Sequence, residues 1–440
     1  MTCPTCTSLQ LENHHLTVEN HRLQQENADL KHRLAAYENP HTPPSRRRYP
    51  TRIHRQGARR YPGRPRGHPG RTRPRSKPDM VKAPEPKTRC TSCDSHLGEP
   101  TVGHRIVEEI SNPAPRQVID YLTYEYTCKT CGTHTTARHP DCPPSGRLGK
   151  NAVIQATLMK YSERLPVRKV SEALMRTYGL RVTPATVLDI TNRVALWLRP
   201  EYEGTLGRIR ASDVVYVDET GVRVDGARYW IWVFTTRNET LFVIRGSRGK
   251  KVLKEVLGGD YRGVVVCDGW RSYPNFTSRI QRCWAHLLRE ARYLGEHVEE
   301  AALLSEVLHR LYRRLNVSPE EWPPPGEALK LVEAAKAEML RLAGRPYKSE
   351  EVRRFAAKML NGLDHWFTFL MVSGVEATNN RAERALRELV VQRKIMGCFR
   401  NGKGTMICET VMTMLSTWKQ QGLDLSQALG EALTREWTKS

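Results

Sequence analysis

The chain has 440 residues, more than one hydrophobic core usually supports, so several domains are expected. Its 70 lysines and arginines outnumber 47 acidic residues, and the formal charge of +23 favours a polyanion as partner. No apolar run approaches the roughly 20 residues of a membrane span, and the first residues do not resemble a signal peptide. We therefore expect a cytoplasmic protein without membrane contact.

Residues 1–39 carry a heptad repeat with one apolar seam position and one that is mostly asparagine. The apolar position holds Leu9, Leu16, Leu23, Leu30 and Tyr37. The other position holds Asn13, Asn20, Asn27 and Leu34. Paired asparagines at such a position specify a parallel two-stranded coiled coil. We expect a homodimer, or a higher homo-oligomer, through this coil; a single amphipathic helix packed on its own core is the alternative.

Residues 40–89 are rich in Pro, Arg and Gly and lack the apolar residues needed to bury a core. We expect a disordered basic arm. Such an arm makes salt-dependent contacts with phosphates and reads little base sequence, whereas a solubilising linker is the alternative. The predicted nucleic-acid contacts in the arm are Arg46, Arg47, Arg48, Arg59 and Arg60.

Two Cys-x-x-Cys pairs lie within residues 90–146. They are Cys90 with Cys93 and Cys128 with Cys131. Four thiolates can bind a structural Zn²⁺ tetrahedrally, and the alternating apolar residues between the pairs predict a β-ribbon that depends on the metal. Asp94 and Gly132 follow the two knuckles, where the turn needs a residue that tolerates a positive φ.

Residues 147–200 have a helical pattern, with helices expected at 152–161, 167–178 and 184–197. Thr183 as N-cap and Pro184 as the first helical residue mark the start of the last helix. Gly179 separates the last two helices, which gives a helix-turn-helix-like unit and a candidate DNA-binding domain. Generic helical packing is the alternative.

Two continuous apolar runs, 214–217 and 264–267, each end on an aspartate, Asp218 and Asp268. Such runs predict central strands, so both carboxylates are expected at strand ends beside a core. Neighbouring carboxylates repel unless a cation lies between them, which suits divalent-metal phosphoryl chemistry with Mg²⁺ or Mn²⁺. Two residues that cap turns are the alternative.

The intervening elements are two strands at 229–234 and 240–244 and a helix at 250–257. Together with the two apolar runs, these elements give three strands, a helix and a fourth strand, which is the order in which a ribonuclease H-like fold begins. Residues 300–375 predict amphipathic helices.

A further helix carries Asn380, Glu383, Arg384 and Arg387 on adjoining faces. Glu383 is the candidate third metal-binding carboxylate, whereas a surface glutamate paired with Arg387 is the alternative. Arg384 and Arg387 could hold DNA phosphates. A basic patch that includes Arg393 and Lys394 follows, and is either a DNA contact or a solvated face.

Four motifs together carry a resemblance to a known family. They are Val217-Asp218-Glu219-Thr220-Gly221, Cys267-Asp268-Gly269-Trp270, Cys283-Trp284-Ala285-His286 and Asn379-Asn380-Arg381-Ala382-Glu383-Arg384. In this order they resemble the signatures of the insertion-sequence-66 transposase family, whose layout also includes an N-terminal coil and a two-knuckle zinc module. The resemblance implies a DDE transposase with Asp218, Asp268 and Glu383 as its metal-binding triad.

The expected fold class is α/β, with a ribonuclease H-like catalytic core interrupted by a helical insertion and preceded by the coil, the arm, the zinc ribbon and the helical domain. The expected divisions of the catalytic part are 210–299 for the first part of the core, 300–375 for the insertion, 376–400 for the Glu helix and 401–440 for a C-terminal helical segment. Double-stranded DNA at element ends and targets is the expected partner, which implies association with the nucleoid; proteins encoded by the same element are further candidates. A nuclease or resolvase without strand transfer, and a non-catalytic DNA-binding dimer, are the alternative functions.

Overall fold

The computed structural model describes residues 4–38, 76–110, 116–316 and 324–438. The chain divides into two units, residues 1–66 and 67–440. In the first unit, helix α1 (Pro4–Glu38) spans the predicted heptads, and Leu16, Leu23 and Leu30 are about half exposed. The predicted contacts Arg46, Arg47, Arg48, Arg59 and Arg60 lie outside the described residues. No helix in the described ranges is long and apolar enough to cross a bilayer.

The second unit begins with a small sheet of four strands. They are β1 (Met80–Lys82), β2 (Thr101–Ile110), β3 (Arg116–Thr127) and β4 (His134–Ala137). Strand β3 pairs antiparallel with β2 and β4 and parallel with β1. Asp94 and Gly132 have φ angles of 55° and 70°, so both knuckle turns adopt the left-handed conformation that the sequence predicts.

Four helices follow this sheet. They are α2 (Lys150–Tyr161), α3 (Val167–Tyr178), α4 (Pro184–Trp197) and α5 (Arg199–Arg210). The Thr183 side chain accepts a hydrogen bond from the Thr186 N–H, and Pro184 begins α4, which confirms the predicted helix start. Gly179 ends α3 with a φ of 63°, where a left-handed residue terminates a helix at least strain.

A five-stranded mixed sheet forms the centre of the unit. Its strands are β5 (Val214–Val224), β6 (Ala227–Thr235), β7 (Thr240–Arg245), β8 (Val264–Cys267) and β9 (Ile280–Arg282). Their order across the sheet is β7-β6-β5-β8-β9. Strands β5, β6 and β7 are antiparallel, whereas β8 and β9 run parallel to β5. Helix α6 (Lys250–Leu257) connects β7 to β8, as predicted.

Eight more α-helices follow in the described part of the chain. They are α7 (Trp284–His297), α8 (Ala302–Leu315), α9 (Pro325–Ala343), α10 (Glu350–Asn361), α11 (Thr368–Met371), α12 (Asn380–Met396), α13 (Gly402–Gln420) and α14 (Leu425–Trp437). One hydrophobic cluster joins one face of the sheet to residues of α2–α4, α7–α10 and α12–α14. A second cluster lies on the other face, under α5 and α6.

The helices within residues 147–200 therefore do not form a separate hydrophobic core. It shares buried side chains with the sheet and with the last two helices. The described residues form a mixed α/β structure in which helices cover both faces of the central sheet.

Candidate active site

The two aspartates occupy equivalent positions on neighbouring strands of the central sheet. Strands β5 and β8 are parallel, and Tyr216 pairs with Val266. Asp218 and Asp268 each stand two residues further along, so the register brings them together and side-chain alternation directs them to one face. Asp218 Oδ1 accepts from the Glu219 N–H at 2.8 Å, and Asp268 Oδ1 accepts from the Trp270 N–H at 2.8 Å. The sheet therefore holds the two carboxylates side by side. Only Asp268 directly follows its strand; the predicted strand-end position of Asp218 is wrong, because β5 continues to pair with β6 as far as Val224.

Helix α12 carries Glu383 toward these two aspartates and is attached to β5 at two points. At its start, the fully buried Asn379 donates from Nδ2 to the Val217 carbonyl at 2.8 Å. Near its end, Arg393 donates from Nη1 to the Gly221 carbonyl and, at 2.8 Å, to Thr220 Oγ1. Because Glu383 lies between these two attachments, its position relative to β5 is well defined.

The three carboxylates interact electrostatically. Burial raises the pKa of Asp218 well above its usual value, and the charges of Glu219, Asp268 and Glu383 raise it further. Like charges that repel in a partly buried site are the arrangement that a bound cation relieves. The donor set is all oxygen, which is the set that Mg²⁺ and Mn²⁺ prefer.

Glu219, next to Asp218 in sequence, lies on the opposite face of the sheet. Its side chain is fully buried and forms an ion pair with Arg248, whose Nε lies 2.6 Å from Oε1. The Tyr273 hydroxyl donates to Glu219 Oε2 at 2.5 Å. Burial and the charge of Asp268 raise the pKa of Glu219 to about 7. Both carboxylate oxygens of Glu219 therefore contact side chains of the core, and the Glu219 side chain points away from Asp218 and Asp268.

His286 and Cys283 lie beside Glu383 at the start of α7. His286 Nδ1 is 3.5 Å from Glu383 Oε1, and burial lowers the pKa of His286. Cys283, His286 and Glu383 offer ligand atoms that all lie within 4.8 Å of one another. In the sequence Cys283 stands out only as part of the family signature, and its three-residue spacing from His286 at a helix start is the signal that could have predicted a shared site.

The helices between β9 and α12 also reach the neighbourhood of Asp268. Lys358 on α10 forms an ion pair with Glu290 on α7. A Cβ atom on Gly269, the residue after Asp268, would lie 3.6 Å from Lys358 Cε. The sequence contains no local signal for this contact, because Lys358 lies close to Gly269 only through the packing of α10.

The four predicted zinc ligands converge at one end of the small sheet. Their sulfur atoms all lie within 4.8 Å of one another, with Cys90–Cys131 at 3.9 Å and Cys93–Cys128 at 3.4 Å. Four thiolates at Zn–S distances of about 2.3 Å in a tetrahedron stand about 3.8 Å apart, so the geometry fits zinc. The Ser95 hydroxyl lies 3.2 Å from Cys128 Sγ and lowers the pKa of that thiol to about 5.

The predicted basic surface after Glu383 is only partly as expected. Arg384, Arg387 and Lys394 are exposed on α12. Arg393 is instead buried, with 5% of its surface exposed, and its guanidinium hydrogen-bonds to β5. Arg393 therefore stabilises the packing of α12 on the sheet and does not belong to the exposed surface, because helix periodicity turns its side chain inward.

Comparisons with known proteins identify the family. The family model described as "Transposase IS66 family" matches residues 145–407, which is more than half of the chain. The chain is 23% identical over 398 residues to uncharacterized protein y4jD of Sinorhizobium fredii, covering 81% of this chain and 76% of that protein. It is also 23% identical over 329 residues to uncharacterized protein y4qI of the same organism, covering 66% of this chain and 60% of that protein. This chain belongs to the IS66 family of transposases.

Proposed function

We propose that this protein is a DDE-type transposase that cuts DNA at the ends of an insertion sequence and joins those ends to target DNA. Asp218, Asp268 and Glu383 are the proposed catalytic and metal-binding triad. One observation carries the proposal: three carboxylates from β5, the end of β8 and α12 approach closely enough that, beyond burial, the charges of Asp268 and Glu383 raise the pKa of Asp218. Repulsion among these carboxylates destabilises the folded protein unless a cation binds between them.

The topology supports a ribonuclease H-like core. Three antiparallel strands are followed by a helix and two strands parallel to the first, in the order β7-β6-β5-β8-β9. Helices α8–α11 then intervene before α12 returns to pack on β5. We propose that residues 210–299 and 376–400 form this core and that 300–375 is an insertion within it.

The triad fits Mg²⁺ or Mn²⁺ because its donors are all carboxylate oxygens, which these ions prefer. Bound there, the metal would activate a water or a DNA 3′-hydroxyl and stabilise the leaving oxygen of an in-line displacement. Asp218 and Asp268 are held by the rigid sheet, and Asn379 fixes the start of the helix that carries Glu383. Arg384 and Arg387 are exposed on that helix, one turn or less from Glu383, where they are suited to bind DNA phosphates.

The remaining modules are proposed to recruit DNA and to assemble the protein. The exposed leucines of α1 are suited to a parallel homodimer. The four cysteines are suited to a structural Zn²⁺ that stabilises the small sheet. We propose that the basic arm adds salt-dependent affinity for double-stranded DNA in the nucleoid, and that proteins of the same element could join the complex.

A cleavage and joining assay tests the proposed function. The full chain is incubated with Mg²⁺, labelled element-end DNA and a target plasmid, in parallel with Asp268→Asn and Asp213→Asn. Asp213 is a matched control because it is an exposed aspartate that directly precedes the first residue of β5. Asp268→Asn is expected to abolish both products while leaving DNA binding intact, whereas Asp213→Asn retains both.

The outcomes separate the alternatives. Cleavage at the wild-type rate in Asp268→Asn would contradict the triad. Cleavage without joined products would support a nuclease or resolvase. Intact DNA after prolonged incubation with either Mg²⁺ or Mn²⁺ would support a non-catalytic DNA-binding dimer.

A further inference from the structure

A second set of metal-binding side chains adjoins the triad. Cys283 is the N-cap of α7, His286 stands one turn further along, and Glu383 faces them from α12. The sulfur, imidazole nitrogen and carboxylate oxygen all lie within 4.8 Å of one another. Asp218 and Asp268 are not members of this group. The cluster therefore differs from the triad in composition and shares only Glu383 with it.

Two of the three ligand atoms lack the partners that buried polar atoms normally have. His286 Nδ1 and Glu383 Oε1 are both buried, and neither has a hydrogen-bond partner within the described parts of the chain. Buried polar atoms without partners are uncommon and indicate a missing ligand or a functional constraint. These two atoms lie only 3.5 Å apart.

Their separation is close to that of two ligands on one metal ion. Nitrogen and oxygen ligands at about 2.0–2.2 Å from a tetrahedral zinc stand roughly 3.3–3.5 Å apart. A direct hydrogen bond between them would be shorter, typically 2.7–3.2 Å. The observed 3.5 Å thus fits two atoms that share a cation better than two atoms that bond to each other.

The third ligand is oriented by the backbone. Cys283 is 1% exposed, and its sulfur accepts a hydrogen bond from the Asn379 N–H at 3.1 Å. N–H donors favour a thiolate, because they stabilise negative charge on sulfur. Burial, and after it the charge of Glu383, raises the pKa of Cys283, so binding of a metal to the thiolate releases a proton to solvent.

We propose that Cys283, His286 and Glu383 form a binding site for Zn²⁺. A thiolate, an imidazole and a carboxylate are ligands that zinc accepts, and three protein ligands leave a fourth position open. The side chains of His286 and Glu383 are 38% and 30% exposed, so the site lies near the protein surface although the two ligand atoms are themselves buried.

Zinc in this site withdraws Glu383 from the proposed triad. This consequence rests on the proposed function, whereas zinc binding itself does not. The prediction is that Zn²⁺ inhibits the magnesium-dependent reaction by occupying a ligand that the reaction needs. The site would then act as a metal-sensitive control of the catalytic centre.

Metal content measured on the full chain tests the binding site. After equilibration with Zn²⁺ and removal of free metal, Cys283→Ala is expected to retain one zinc ion fewer per chain than the wild type. Cys398→Ala is the matched control, because Cys398 is exposed and belongs to neither cluster. Equal zinc content in the wild type and in Cys283→Ala would overturn the proposal.

A second measurement needs no variant and so does not depend on how Cys283→Ala folds. Wild-type protein is first loaded with zinc at a level that fills only the four-cysteine site, and Co²⁺ is then added. A thiolate-to-cobalt charge-transfer band is expected from Cys283. If the zinc-loaded wild type gives no such band, the proposed site does not bind a metal through sulfur.

Inhibition is measured separately, as cleavage at fixed Mg²⁺ with increasing Zn²⁺, each variant relative to its own zinc-free rate. Removing a ligand is expected to raise the inhibitory zinc concentration roughly tenfold or more in Cys283→Ala. Unchanged zinc sensitivity would contradict the control role. Absence of cleavage in the zinc-free wild type would instead refute the proposed function and leave the zinc content as an independent result.

Discussion

Helix α13 covers the edge strand β7 with side-chain hydrogen bonds, and this unusual contact allows a sharp stability prediction. The N–H groups of Thr240 and Phe242 donate to Thr417 Oγ1 at 3.1 Å and Thr413 Oγ1 at 2.9 Å. The N–H of Ile244 donates to Glu409 Oε1 at 2.6 Å. Residues 409, 413 and 417 are four positions apart and so lie along one side of α13. Their side chains accept the hydrogen bonds that a neighbouring strand would otherwise accept from β7.

We predict that Thr413→Val destabilises the protein. Valine has nearly the same shape, so the change removes the acceptor of the Phe242 N–H without creating a cavity. Thr413 and Phe242 are both fully buried, so water cannot replace the lost partner. A buried donor left without a partner costs about 1–3 kcal/mol. At about 2.1 cal/mol/K of unfolding entropy per residue, each kcal/mol lowers the Tm of so large a unit by roughly 1–2 °C.

Thr410→Val is the matched control on the same helix. Thr410 is equally buried, but its hydroxyl has no hydrogen-bond partner in the described structure. Replacing it is expected to leave the free energy of unfolding unchanged or to raise it, because an unsatisfied polar atom is removed. Both variants are compared with the wild type by thermal and denaturant unfolding. If Thr413→Val is neutral, or if both variants lose equal stability, the edge-covering interpretation is wrong.

Three further predictions concern the other modules. Cys128→Ser, or treatment with a strong chelator, is expected to release zinc and to unfold the small sheet. The measurements are the loss of one zinc ion per chain and faster proteolysis within the small sheet. Full retention of zinc would contradict the proposed zinc site. Arg387→Ala is expected to lower the slope of log affinity for DNA against log salt concentration by about 1, because one phosphate contact is lost. Arg393→Ala is expected chiefly to lower Tm, because its side chain is buried against β5. The reverse pattern would refute the roles assigned to the two side chains. Leu23→Asp is expected to reduce the molecular mass in solution by disrupting the coil, and an unchanged mass on light scattering would exclude α1 as the association surface.

Much of the local structure was predictable from sequence because its signals are local. Thr183 followed by proline specifies a helix start, and the turn at Asp94 needs a residue that tolerates a positive φ. The apolar runs before Asp218 and Asp268 predicted buried neighbouring strands, and the parallel register of β5 and β8 confirms that pairing. These features depend on side-chain periodicity and turn chemistry, which a short window of sequence contains.

The sequence by itself therefore determined the family, the order of elements, the two cysteine pairs and the two neighbouring strands that carry Asp218 and Asp268. Only the tertiary structure decided how Glu383 returns to Asp218, because that depends on the Asn379 contact with β5 across many intervening residues. Tertiary packing also turned Arg393 inward and brought Cys283 and His286 to Glu383. No local pattern specifies such contacts, since they arise from which faces of distant helices the sheet buries.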